Sequence, residues 1–218
     1  MALFLDSSIP EEIRDLFRWG VFSGVTTNPL ILSREAPTED LEPRIRSVLD
    51  ASAGPVSVEL MSEGEAEMLE EAARYAAWDR ERVCIKVPFS EAGLRVVHEL
   101  ARRGTRTNVT CTMSFNQCYL AALAGASYAS LFAGRVRDMG YDVWPIVESI
   151  RKVFDREATP ARLLVGSIRH AHDVTEALSA GAHVVTVPPA VARNMLNNPQ
   201  TELTIRQFND AWKNRRGE

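Results

Sequence analysis

Residues Val83–Gly104 read VCIKVPFSEAGLRVVHELARRG. Val83–Val87 is a short apolar run of β-forming residues. Ser90–Arg103 follows as a helix, with Ser90 and Glu91 suited to its first turn and Gly104 to its end. The same succession recurs on both sides of this unit. Upstream, the short apolar runs are Ala2–Leu5, Gly24–Thr26 and Val56–Leu60. Downstream they are Arg106–Thr110, Tyr128–Phe132, Leu163–Gly166 and His183–Val187. Helical patterns lie between and after them, at Pro10–Trp19, Thr38–Ala53, Glu63–Trp78, Ser114–Ala124, Val143–Asp155, His172–Ala180 and Ala190–Leu196. Ser8 suits the cap of the first, with Pro10 in its opening turn. Thr38–Ala53 repeats apolar residues at Leu41, Ile45, Val48 and Leu49, and Glu63–Trp78 is acidic at its start, as a helix dipole favours.

Eight strand-then-helix units predict an α/β fold, a (β/α)8 TIM barrel in one domain over residues 1–218, with an additional C-terminal helix at about 202–215. An open, doubly wound sheet is the alternative. Two features favour the barrel. No Gly-rich dinucleotide fingerprint follows the first strand. The strands also end in polar residues, among them Asp6, Thr26 with Thr27, Glu59, Lys86, Thr110, Ser167 and Thr186. A barrel gathers such ends at one mouth, where the chemistry of this fold resides.

The 218 residues are 45% hydrophobic and 25% charged, which excludes long disorder. A net charge of −4 gives no electrostatic case for nucleic acid or an anionic membrane surface as partner. No apolar run is long enough to span a bilayer. MALFLDSSIPEE lacks a basic n-region, so no signal peptide is expected. Cys84, Cys111 and Cys118 form no CxxC pair, which leads to an expectation of reduced thiols and a cytoplasmic protein. Those cysteines lack zinc spacing, and His98, His170, His172 and His183 form no cluster, so neither metal nor cofactor is expected.

Only three of the 25 basic residues are lysine: Lys86, Lys152 and Lys213. Lys152 and Lys213 fall on polar helical faces, whereas Lys86 sits inside a strand. A snorkelling or ion-paired lysine would explain it, and so would a Schiff-base nucleophile. The amine must be neutral to attack a carbonyl, and burial among Val83, Ile85 and Val87 disfavours the ammonium form. Asp6 and Glu59 would share its mouth, as proton-transfer groups or as salt-bridge partners. Asn28, in TTNP, is either a turn former or a hydrogen-bonding corner for substrate, and Asn108 and Thr110, in TNVT, carry the same two readings. Ser167 and Arg169 precede a helix whose free N–H groups would attract an anion. Arg135 could add a bidentate contact, although each arginine could equally be a surface residue.

Six stretches in order, FLDSS (Phe4–Ser8), GVTTNP (Gly24–Pro29), IKVP (Ile85–Pro88), TNVT (Thr107–Thr110), SLFAGRVRD (Ser130–Asp138) and VGSIR (Val165–Arg169), resemble the motifs of the transaldolase family. The likeness is to its short single-barrel branch, shared with fructose-6-phosphate aldolases. It implies a Schiff base between Lys86 and a ketose donor, with Asp6 as general acid/base. It implies that Glu59 and Thr110 position a catalytic water. Thr27, Asn28, Asn108, Ser130 and Phe132 would surround the dihydroxyacetone unit, and Arg135, Ser167 and Arg169 would bind phosphate. Aldolase members resemble one another in having Gln at the Glu59 position and Tyr at the Phe132 position. Glu and Phe here therefore imply transfer of a three-carbon unit between sugar phosphates, as between sedoheptulose 7-phosphate and glyceraldehyde 3-phosphate in the pentose phosphate pathway. A lyase using the same imine, an enzyme dedicated to a longer sugar, and a non-enzymatic sugar-phosphate binder are the alternatives. The Arg135–Val143 loop and the SIRHAH stretch could reshape the acceptor end. The resemblance also implies a homo-oligomer, pentameric or decameric, for whose contacts Phe208 and Trp212 on the C-terminal helix are suited.

Overall fold

A computed structural model describes residues 1–216. Its elements, in order, are β1 (Ala2–Asp6), α1 (Pro10–Phe17), β2 (Phe22–Thr26), α2 (Pro29–Glu35), α3 (Leu41–Ala51), β3 (Val56–Glu59), α4 (Glu65–Ala76), β4 (Val83–Pro88), α5 (Glu91–Arg102), β5 (Thr107–Thr112), α6 (Phe115–Leu123), β6 (Tyr128–Phe132), α7 (Ala133–Asp138), α8 (Trp144–Arg156), β7 (Arg162–Gly166), α9 (Ala171–Ser179), β8 (Val184–Val187), α10 (Pro189–Asn194) and α11 (Pro199–Arg216). Each strand pairs in parallel with the next, and β8 returns to β1. The sheet is thus a closed barrel, and the open doubly wound alternative falls away.

Alternation along the strands separates two cores. Leu5, Val25, Val58, Ile85, Val87, Val109, Leu131, Leu163 and Val165 face outward and join the buried faces of the helices, such as Ile45, Val48 and Leu49 on α3 and Val96, Val97 and Leu100 on α5. Burying each of these side chains stabilises the fold by about 1.5–3 kcal/mol. Phe4, Cys84, Tyr128, Leu164 and Val184 point inward and form a second, smaller apolar cluster. Phe4 and Tyr128 meet edge to face there, 5.8 Å apart. Gly24 makes room for this plug, because a Cβ on it would lie 2.7 Å from the Phe4 ring. Two residues further along the strands the inner face becomes polar: Asp6 follows Phe4, Lys86 follows Cys84, Ser130 follows Tyr128 and Thr186 follows Val184. One end of the barrel is therefore filled with hydrocarbon and the other is lined with functional groups.

Two helices stand where the sequence suggested turn or loop. Asn28 and Pro29 mark a turn, but the same pair is also a helix start. The Asn28 side chain caps α2 by accepting from Ile31 N–H at 2.9 Å, and Pro29 occupies the first turn. α7, only six residues long, begins directly after β6. Ser8 is not the cap of α1: the cap position is Ile9, which makes no side-chain capping bond. Ser8 instead donates through both N–H and Oγ to Oε2 of Glu35. α11 starts at Pro199, three residues before the expected Glu202.

Candidate active site

The ladder places Glu59 beside Lys86, and Lys86 beside Asn108, on adjacent strands. Lys86 and Glu59 form an ion pair of 2.8 Å, with side chains only 5% and 11% exposed. Lys86 Nζ also donates to the Thr27 carbonyl at 2.9 Å. Burial should make a lone ammonium costly, so its charge is met by a carboxylate and a carbonyl dipole.

Asp6 completes the group from β1. Its Oδ1 accepts from Thr26 Oγ1 at 2.7 Å. Burial pushes the Asp6 carboxyl above the usual carboxylate range, and the Lys86 charge and the Thr26 hydrogen bond offset this only partly. Asp6 is thereby disposed to hold a proton longer than an exposed aspartate. Asn108 is fixed in orientation. Ser130 Oγ donates to its Oδ1 at 2.6 Å, and its Nδ2 donates to Ser57 Oγ at 3.1 Å. Thr110 Oγ1 is buried and has no hydrogen-bond partner among the described residues. A buried hydroxyl left so is a ready partner for water.

These groups open into a cavity of about 350 Å³, a size suited to a small ligand. Its walls include Asp6, Thr26, Asn28, Glu59, Lys86, Asn108, Ser130, Phe132, Arg135, Ser167 and Thr186, with Pro29 and Leu30 at the rim. Nine of the twelve expected site residues therefore line one cavity; Thr27, Thr110 and Arg169 do not. Thr27 is fully buried and its hydroxyl donates to the Ser57 carbonyl, so what it offers Lys86 is its backbone oxygen.

The anion end departs most from expectation. Arg169 forks onto Asp138, with Nη1 2.7 Å from Oδ1 and Nη2 on Oδ2. The backbone N–H groups of Arg169 and His170, expected to be free, both donate to Oδ2 of Asp173, at 3.1 and 3.0 Å. Arg137 holds the other oxygen of Asp173 at 2.6 Å. Burial alone would raise the Asp173 carboxyl, but these donors outweigh it and lower it. Two arginines are thus neutralised locally. Arg135 has no ion-paired carboxylate within 4 Å among the described residues, and it lines the cavity with Ser167. Gly134 lets that end close up: a Cβ on it would lie 2.7 Å from Ser167 Oγ and 2.9 Å from Arg169 Nε.

Several residues that shape the site were not singled out from sequence. Glu35 ties down the chain after β1, accepting from Ser7 Oγ, Ser8 N and Ser8 Oγ. Glu71 does the same after β3. It accepts from the N–H groups of Met61 and Ser62 and, at 2.5 Å, from the Tyr75 hydroxyl. Burial and this contact push the Tyr75 phenol up to about 12. Ser57 was legible in principle, lying two residues before Glu59 on the same strand face. Cys111 was not: a register shift in β5, with Cys111 at φ 60°, turns it into the cavity.

Among the described residues no three His, Cys, Asp or Glu side chains gather as a metal site would require, and no helix is long and apolar enough to cross a membrane. An amine in contact with a proton acceptor, sharing a cavity with a carboxyl of raised pKa, can form and break an imine with a carbonyl compound.

Residues 3–216 match the family described as Transaldolase/Fructose-6-phosphate aldolase. The chain is 42% identical over 212 residues to a probable transaldolase of Desulforudis audaxviator, covering 97% of each chain. It is 38% identical over 213 residues to a probable transaldolase of Pelotomaculum thermopropionicum and 37% identical over 220 residues to one of Thermus thermophilus, covering 98% of each chain in both cases.

Proposed function

The chain belongs to the transaldolase/fructose-6-phosphate aldolase family, and we propose that it acts as a transaldolase, carrying a dihydroxyacetone unit from a ketose phosphate to an aldose phosphate as an imine on Lys86. The observation that carries this reading is the buried Lys86–Glu59 pair on the wall of a cavity that Asp6 also lines. Glu59 takes a proton from the Lys86 ammonium, and the neutral amine adds to the donor's C2 carbonyl. The carbinolamine loses water to give the imine, with that water handled between Glu59 and the unpartnered hydroxyl of Thr110. Asp6, as carboxylate, accepts the proton of the C4 hydroxyl while the C3–C4 bond breaks. The electron pair of that bond is taken up by the imine as an enamine, and an aldose phosphate departs. An incoming aldehyde then reverses these steps, with Asp6 returning the proton to the new hydroxyl. Asn108, fixed by Ser57 and Ser130, and Asn28 on the cavity wall supply hydrogen bonds to the three-carbon unit.

Retention of that unit until an acceptor arrives is what separates transfer from cleavage. Phe132 lines the cavity without a proton to give. With fructose 6-phosphate alone, little free dihydroxyacetone should therefore appear, and adding an aldose phosphate should start turnover. Rapid release without an acceptor would replace transferase by lyase. Phe132→Tyr is expected to raise that release by about tenfold by supplying an acidic hydroxyl. An unchanged ratio of release to transfer in this variant would remove Phe132 from the explanation.

For the acceptor phosphate, the free guanidinium of Arg135 is the main contact. Arg135→Ala should raise KM for a phosphorylated acceptor by roughly 10–100-fold and leave KM for glyceraldehyde nearly unchanged. Arg169, engaged by Asp138, should give about threefold or less on the same substitution, since an exposed ion pair contributes little. Equal effects at both positions would mean that phosphate takes Arg169 from Asp138.

We further propose a cytoplasmic homo-oligomer, a pentamer or decamer. Leu203, Ile205, Phe208 and Trp212 are exposed on α11, and Leu120 and Leu123 are exposed on α6, surfaces that packing between copies would cover.

A further inference from the structure

Thr26 and Thr186 are buried on β2 and β8, 3% and 4% exposed, on either side of β1. Their hydroxyl oxygens are 2.7 Å apart, and Thr26 Oγ1 is 2.7 Å from Oδ1 of Asp6. A threonine hydroxyl has one proton to donate and lone pairs to accept with. When Asp6 is ionised, Thr26 gives its proton to Oδ1, so the contact between the threonines needs the proton of Thr186. When Oδ2 takes up a proton, Oδ1 remains an acceptor, so the same direction, Thr186 to Thr26 to Oδ1, is kept. The three oxygens therefore keep one hydrogen-bonded arrangement while the proton comes and goes on Oδ2. Among the described residues nothing donates to Oδ2, the other oxygen of this cavity-lining carboxyl.

We propose that Thr186 is a positioning residue for the acid/base: acting through Thr26, it keeps Oδ1 of Asp6 hydrogen-bonded both before and after proton transfer and leaves Oδ2 to exchange the proton with substrate. This rests on Asp6 being the acid/base of the transfer. A carboxyl that must take a proton in cleavage and return it in condensation gains from a partner that holds its other oxygen in place throughout. The chain of hydroxyls exists because the barrel closes, since β8 brings Thr186 to the first strand. The other charges facing Asp6 are Lys86 on β4 and Arg34 and Glu35 on α2, and none of them touches Thr186 in a hydrogen bond.

The test is Thr186→Val, which keeps the shape and removes the hydroxyl, with Thr186→Ser as its conservative partner. Steady-state transfer from fructose 6-phosphate to erythrose 4-phosphate is measured across pH. In Thr186→Val, kcat should fall by about tenfold, with KM for fructose 6-phosphate within about twofold of wild type. The acid limb of the profile should move to higher pH, because Thr26 donates less strongly to the ionised carboxylate. Thr186→Ser should recover most of the rate. In an Asp6→Asn background, Thr186→Val should change kcat by less than about twofold, because the effect runs through Asp6. Wild-type kcat and pH profile in Thr186→Val would overturn the proposal and leave the transaldolase reading standing. Thr186→Ser as slow as Thr186→Val would also overturn it, by placing the role in the methyl group. Absence of transfer in the wild type would overturn both.

Discussion

Replacing Lys86 by Arg is expected to lower kcat by at least about three orders of magnitude, because the group that becomes covalently attached is lost. A guanidinium stays protonated and delocalised, so it cannot add to a carbonyl. Arg still places a cation between Glu59 and the Thr27 carbonyl, so the lost rate cannot be blamed on a missing charge. The companion Lys86→Met separates chemistry from stability. It leaves a nearly buried Glu59 carboxylate unpaired, which should cost about 3–5 kcal/mol. For a domain of this size that lowers Tm by about 10 °C. Arg, being only overpacked, should cost about 1–3 kcal/mol. Thermal melts and initial rates on the two variants check both halves. A Lys86→Arg protein turning over within tenfold of wild type would end the covalent account.

Asp6→Asn should lower kcat by about 10²–10⁴-fold by removing proton transfer at the breaking bond, while imine formation continues. The donor complex should then accumulate as the imine. Stability should move the other way. The Asp6 carboxyl is raised by burial above its ordinary value near 3.8, so the folded protein binds that proton more tightly than the unfolded chain does. That contribution is fully present below the ordinary carboxylate range and is lost as pH rises through the raised value. Asparagine has no proton to lose. The Tm advantage of Asp6→Asn over wild type should therefore be small in acid and grow toward neutrality, a trade of stability for activity at a functional site. A variant less stable than wild type at pH 7 would mean that the Lys86 attraction outweighs the desolvation of Asp6.

Much of this was readable from residue order because strands alternate. Glu59 and Lys86 sit at polar ends of otherwise apolar runs, and period-two geometry places both on the inner face once the barrel closes. Thr27 departs from expectation because it lies just past the end of β2, where alternation no longer governs and its side chain turns to Ser57. Arg169 does so because its partner Asp138 is 31 residues away, on a short helix that gave no periodic signal. The helix N-terminus offered as an anion site was already satisfied by Asp173, four residues on from Arg169. An Asp inside a first turn can be read either as favouring the dipole or as occupying it. Cys111 was hidden by a bulge, which moves a side chain across the sheet without leaving a mark in composition.

Covalent capture of the donor by Lys86 is tested most directly by incubating the protein with fructose 6-phosphate, reducing with borohydride and mapping the modified lysine by peptide mass spectrometry. The scarcity of lysine helps, since the chain has only Lys152 and Lys213 besides Lys86. One adduct with the mass of a reduced ketose or dihydroxyacetone imine is expected on the peptide carrying Lys86, near stoichiometric in Asp6→Asn. No adduct, or one on Lys152 or Lys213, would contradict covalent capture at Lys86.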